Sequence, residues 1–328
     1  MLQRDKAPDA IKGICIILMV FGHIAYVGDW KENLNGINDF IYTFHMPVFL
    51  IISGYFFTIE SYAEGKITKL IKRLVVPYVI FISLYLIGLI FIKRFGIEAS
   101  NNPPRDFSHF INTILFKPYG GYWFLHSLII IQLASIVSAF FVNSFASKEN
   151  VFVTVFLCSL FLLLFASGQG VIGSRTVAYF LMGVLLRRVS GDFVFSLRLK
   201  LVLGGLLILT GVLSGDGLYE PFSAYEITWC LLITCFLWSF FNGKDGVVIG
   251  GLAWIGRNTL VILVLHSAFV VALKPFNSLF LSIDPTGVLQ AILVTVITLI
   301  SCLISANLSD RLNFSRFIFG TDIVYSKK

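Results

Sequence analysis

Ten apolar runs along a chain of 328 residues decide most of what it can become. They fall at 11–27, 40–57, 74–92, 122–142, 151–167, 171–186, 201–214, 223–241, 254–273 and 287–308. A helix needs ~20 residues to cross a hydrocarbon core, and most of the runs reach or approach that length. The pattern predicts an all-α, polytopic integral membrane protein of about ten transmembrane helices. It reads as a single domain over 1–328 with no soluble appended domain. At 57% hydrophobic residues and 13% charged, with a mean hydropathy of +0.87, the composition is not that of a soluble globule. No small-residue cleavage pattern follows the first run, which therefore reads as a retained helix rather than a signal peptide. Cys15, Cys158, Cys230, Cys235 and Cys302 all lie inside apolar runs, without metal-ligand spacing, and read as small buried hydrophobes.

Basic residues orient the runs. With the N-terminus inside, the inner set holds Arg4, Lys6 and Lys12, the group Lys66 to Arg73, Lys148, the group Arg187 to Lys200, Lys244, Arg257, and Arg311, Arg316, Lys327 and Lys328. That is 18 of the 25 Lys and Arg, a bias that predicts both termini on the cytoplasmic side. The net charge of +7 then belongs to cytoplasmic loops and not to a nucleic-acid partner. The longest connection, 93–121, carries Asn101-Asn102-Pro103-Pro104 and Lys117-Pro118, so it reads as irregular outer loop, a lid or acceptor contact.

Within the first run stand two ionisable residues, Lys12 and His23, eleven positions apart. At ~100° and ~1.5 Å per residue both point to one face, about 16 Å apart along the axis, with Ile16 and Met19 on the same stripe. An intramembrane His reads as functional by default. The topology puts His45, His126 and Glu226 near the outer ends of their runs and His266 near the midplane, leaving only His109 in a loop. Any one of these has an ordinary alternative as a hydrogen-bonded structural His. Four at similar depth point to proton transfer near neutral pH.

At the inner face, Lys12, Arg73 and Arg257 are either positive-inside anchors or an anion site open to the cytoplasm, and phosphate is what such cations hold well. Asn258 follows Arg257 at the start of its apolar run. Pro47 inside the second run predicts a bend beside a cavity, and Ser53-Gly54 a close helix approach. Asp9 is placed to pair with Lys12.

Asp9-Ala-Ile-Lys12 through Gly22-His23 resembles the opening of acyltransferase family 3, the polytopic membrane O-acyltransferases. Phe44-His45-Met46-Pro47 through Ser53-Gly54, Lys72-Arg73 through Pro77-Tyr78, Tyr122-Trp123-Phe124-Leu125 and Gly256-Arg257-Asn258 through His266 resemble its later segments. The chain looks most like the fucose 4-O-acetylase-type branch, which acts on bacterial surface polysaccharides. The resemblance implies transfer of an acyl group, most simply acetyl from acetyl-CoA, to a carbohydrate hydroxyl at the bacterial inner membrane, with no metal. It implies CoA phosphates near Lys12, Arg73, Arg257 and Asn258, His23 as general base, and acceptor contacts from Trp123, His126 and His266. Glu226, His45 or His126 would orient His23, and the sequence leaves that choice open. The competing class is a polysaccharide or solute transporter, which would also use buried polar residues and a broken helix but needs no chemistry at His23.

Overall fold

The computed structural model describes residues 5–58, 65–94, 101–143, 151–190 and 197–325. Of the basic residues that orient the chain, Arg4, Lys148, Lys327 and Lys328 lie outside this set. Every regular element among the described residues is helical. The first three are α1 (Ala7–Gly22), α2 (Lys31–Tyr42) and α3 (His45–Tyr55). Then α4 (Lys66–Leu70) runs through a π turn at Ile71–Val75 into α5 (Val76–Arg94), followed by α6 (Phe107–Leu115), α7 (Tyr122–Asn143) and α8 (Val151–Gly168). The second half holds α9 (Ser174–Ser190), α10 (Leu197–Ser214), α11 (Ala224–Phe241), α12 (Val247–Arg257), α13 (Thr259–Leu273), α14 (Asn277–Ile283), α15 (Val288–Arg311) and α16 (Ser315–Ile318).

Seven stretches among the described residues are long and apolar enough to cross a membrane: Lys66–Arg94, Tyr122–Val142, Val151–Gly168, Arg198–Leu218, Ala224–Phe241, Thr259–Ile283 and Val288–Arg311. The other three expected spans are shorter helices, α1 of 16 residues, α3 of 11 and α9 of 17. Of these, α1 and α3 are mostly buried. Nine of the eleven residues of α3 are buried, whereas α10 exposes Leu201, Ile208 and Val212 along its length. Such a face suits contact with lipid.

Glycine sets the central crossings. Between α1 and α12, a Cβ at Gly256 would lie 1.7 Å from the Asp9 carbonyl oxygen, and one at Gly13 would lie 2.1 Å from that of Leu252. Between α3 and α9, a Cβ at Gly54 would lie 1.9 Å from the Phe180 carbonyl oxygen. The approach expected at Ser53-Gly54 is therefore a backbone contact that any side chain would prevent.

Three expectations need correction. The run 40–57 is two helices with a break at Thr43–Phe44, and Pro47 is the third residue of α3. The first turn has no intrahelical use for its N–H groups, so proline starts this helix instead of bending one. The run 254–273 is broken at Asn258, whose side-chain amide donates to the Trp254 carbonyl at 2.9 Å and competes for the acceptor α12 needs to continue. The connection 93–121 is not all irregular, because Asp106 caps α6 by accepting from the His109 N–H at 2.7 Å.

Beyond α1, the chain is stitched to the loop before α15. Asp29 N–H donates to the Pro285 carbonyl at 2.9 Å and Trp30 N–H to that of Thr286 at 3.0 Å. Asp284 organises that loop, accepting from the Thr286 hydroxyl at 2.6 Å and the Leu289 N–H at 2.8 Å. The Thr286 hydroxyl first, with the backbone N–H groups, holds the Asp284 carboxyl below the usual carboxylate range.

Candidate functional site

α1 and α3 run in opposite directions. At one end the Lys12 ammonium lies 5.5 Å from the centroid of the Phe56 ring, just past α3. At the other, His23 and His45 line one chamber of about 260 Å³. The Lys12–His23 stripe therefore joins two ends of the molecule, separated by ~16 Å of helix.

His23 is the residue on which α1 stops, with its N–H on the Val20 carbonyl at 3.2 Å. A Cβ at the preceding Gly22 would meet the Tyr42 ring at 2.7 Å and the Asn38 side chain at 2.8 Å, so glycine lets α2 close over this end of α1. The His23 ring packs against His266, with centroids 5.0 Å apart. His266 is fully buried. Its Nδ1 points at the Ile262 and Leu263 carbonyls, at 3.0 and 2.9 Å, so that nitrogen carries the hydrogen. Nε2 then accepts from the Ser267 hydroxyl at 3.1 Å. With both nitrogens engaged, His266 serves as a wall for His23. Gly121 backs it, since a Cβ there would lie 2.8 Å from His266 Cε1.

His45 is held differently. Its Nδ1 donates to the Ile41 carbonyl at 2.8 Å, tying α3 to the end of α2. The neutral ring then keeps its lone pair on Nε2, in a residue that lines the chamber. Tyr42 packs edge-on against it at 4.8 Å. Met19, Trp123, Arg175 and Tyr179 line the same space.

Arg175 is one of the seven basic residues outside the inner set. It stands at the start of α9 and forms an ion pair with Glu226. Glu226 is almost fully buried, and its other oxygen accepts from the Phe222 N–H at 2.5 Å. The Ser223 side chain accepts from the Glu226 N–H in return at 3.0 Å, a variant of the capping box at the start of α11. The sequence Ser223-Ala-Tyr-Glu226 carried that signal. Glu226 thus reaches the chamber through Arg175 and does not line it itself.

His126 lies elsewhere. Its Nε2 donates to the Leu115 carbonyl at 2.9 Å, while the Tyr78 hydroxyl donates to that of Ile114 at 2.5 Å. Together they satisfy the free carbonyls at the end of α6. Trp123, three residues before His126, does face the chamber.

At the opposite end a cavity of about 330 Å³ is lined by Lys66, Lys69 and Arg73, with Gln132 and Ser135 across from them. The π turn at Ile71–Val75 precedes Pro77, which has no N–H to give Arg73 and whose ring would crowd that carbonyl. Phe57 also lines this cavity, next to the Phe56 ring under Lys12. Arg257 does not join it. It lies 3.8 Å from the Asp9 carboxylate and borders a separate groove with Lys6 and Trp254. Asn258 is buried at the α12–α13 break. Among the described residues no group of three or more His, Cys, Asp or Glu is placed to hold a metal ion.

Comparison with known proteins gives two matches. The family described as Acyltransferase domain, the third acyltransferase family, matches residues 5–307. Nodulation protein NolL of Sinorhizobium fredii (strain NBRC 101917 / NGR234) is 42% identical over 57 residues, which is 16% of this chain and 16% of that protein. No solved structure matches.

Proposed function

The chain belongs to acyltransferase family 3 and is a membrane acyltransferase, and from that premise we propose that it carries acetyl from cytoplasmic acetyl-CoA to a sugar hydroxyl of a cell-surface or lipid-linked polysaccharide. The proposed setting is the bacterial inner membrane, with both termini cytoplasmic and α1, α3 and α9 completing about ten membrane-embedded helices. One observation carries the reading. Two histidines share a chamber with an arginine at one end of α1, and a three-cation cavity opens at the end where α1 begins.

In this reading the CoA phosphates bind among Lys66, Lys69 and Arg73, near Lys12, and Arg257 with Asn258 offers a second anion contact. The pantetheine arm extends along α1. His23 removes the proton of the acceptor hydroxyl as its oxygen attacks the thioester carbonyl. The new C–O bond forms and the C–S bond breaks. The departing thiolate takes the proton back from the imidazolium and leaves as CoA thiol. Arg175, anchored by Glu226, donates a hydrogen bond to the oxyanion. His45 and His266 hold His23 in place and Trp123 contacts the acceptor. His126 supports the α6 end of the same wall.

The test uses membranes carrying the full chain, acetyl-CoA labelled in its acyl group, and surface polysaccharide stripped of esters by mild base. Label entering the polysaccharide with wild type and not with His23→Ala supports the reading. Equal labelling with both overturns the role of His23, and no labelling with either overturns the substrate assignment.

A further inference from the structure

Tyr42 and Arg175 each border two spaces, the histidine chamber and a cleft of about 600 Å³ beside it. The cleft volume falls within the ~300–1,000 Å³ usual for small-ligand sites. One wall is α2, through Gly36, Asn38 and Asp39, and the other is the 3₁₀ turn Gly215–Leu218 with Tyr219.

The lining is mixed in a particular way. The Asp39 side chain is exposed, as is the Tyr219 ring. Asn38 Oδ1 is buried and has no hydrogen-bond partner among the described residues. That oxygen faces Gly22 on α1, where a Cβ would lie 2.8 Å from it, so the Asn38 amide accepts a ligand hydroxyl by turning into the cleft, which removes the cost of the unpaired acceptor. Arg175, at the inner edge, already has its charge balanced by Glu226. The cleft therefore offers acceptors for hydroxyl groups, two aromatic rings and no uncompensated cation. Those features suit a neutral sugar ring, which has hydroxyls on its rim and apolar C–H faces, better than a phosphorylated or uronic acid ring.

We propose that this cleft is the acceptor subsite. A neutral pyranose sits with its hydroxyls on Asp39 and Asn38 and one C–H face on Tyr219, and presents one hydroxyl between Tyr42 and Arg175 to His23. This rests on the acyltransferase reading above and adds to it where the acceptor binds and which residues select it.

The experiment measures two Michaelis constants with the full chain in liposomes: one for acetyl-CoA, one for base-treated surface polysaccharide. The variants are Asp39→Ala, Asn38→Ala and Gly36→Tyr. Nothing lies within 4 Å of a Cβ at Gly36, so the tyrosine narrows the cleft without disturbing packing. The expected result is a KM for polysaccharide raised about tenfold or more, with the KM for acetyl-CoA within about twofold of wild type. If wild type labels the polysaccharide and Gly36→Tyr and Asp39→Ala keep its KM, the function stands and the cleft assignment falls. A parallel rise in both constants also overturns the assignment. If wild type labels no polysaccharide, the sugar reading itself fails and the subsite with it.

Discussion

The imidazole of His23 rests against that of His266, their centroids 5.0 Å apart and their planes inclined by 45°. His266 is fixed through both nitrogens and its ring is backed by Gly121. The position of His23 is thus set by a residue on α13 and a glycine just before α7. Gly121→Val forces the His266 ring to shift, and His23 with it. The expected outcome is a fall in kcat of about 100-fold, with the KM for acetyl-CoA nearly unchanged. Steady-state kinetics on the purified variant measure this.

Arg175 and Glu226 form a pair in which the acid is 1% exposed. Replacing Glu226 by Gln leaves the guanidinium, 38% exposed, without its counter-charge and is expected to cost about 1 kcal/mol of stability, because solvent screens it. The double variant Arg175→Met, Glu226→Gln should recover most of that loss, because both charges are gone. Transfer should not recover, because Arg175 lines the chamber. Thermal unfolding in detergent and a transfer assay on the same samples separate the two effects.

At the other end, Lys69→Gln and Arg73→Gln should each raise the KM for acetyl-CoA about tenfold, the loss of one charge-assisted phosphate contact. The difference from wild type should shrink with added salt. Arg257→Gln, in its separate groove beside Asp9, should change that KM less and stability more.

The legible parts of this chain were those fixed by lipid or by the cost of polarity. A helix such as α8 must be apolar throughout, so its limits could be read directly. His23 and His45 stood out because an apolar run does not keep a histidine cheaply. The inner helices were harder, because neighbours set their ends: Tyr42 and Asn38 against Gly22, and the Asn258 amide on Trp254. Arg175 was passed over because its partner is far away in sequence and its role exists only in three dimensions. The capping task of His126 was hidden for a related reason, since the helix it caps lay in a stretch rich in proline and glycine.

Asp284 holds the loop that fastens the chain after His23. Its hydrogen bonds, that from the Thr286 hydroxyl first, lower its folded-state value below that of the unfolded chain. The stabilisation is therefore complete above the unfolded value and is lost as pH falls through the folded one. Asp284→Asn should unfold more readily than wild type at neutral pH, and the gap should close in acid. Thermal unfolding across a pH series checks the sign.

Acyl transfer by His23 leaves its mark on the mass of the surface glycan. Cells carrying wild type, His23→Ala or no protein are compared by mass spectrometry of that glycan. An increment of one acetyl group per modified sugar is expected with wild type alone. Identical substituents in all three, with less glycan at the surface when the protein is missing, would contradict it and favour transport.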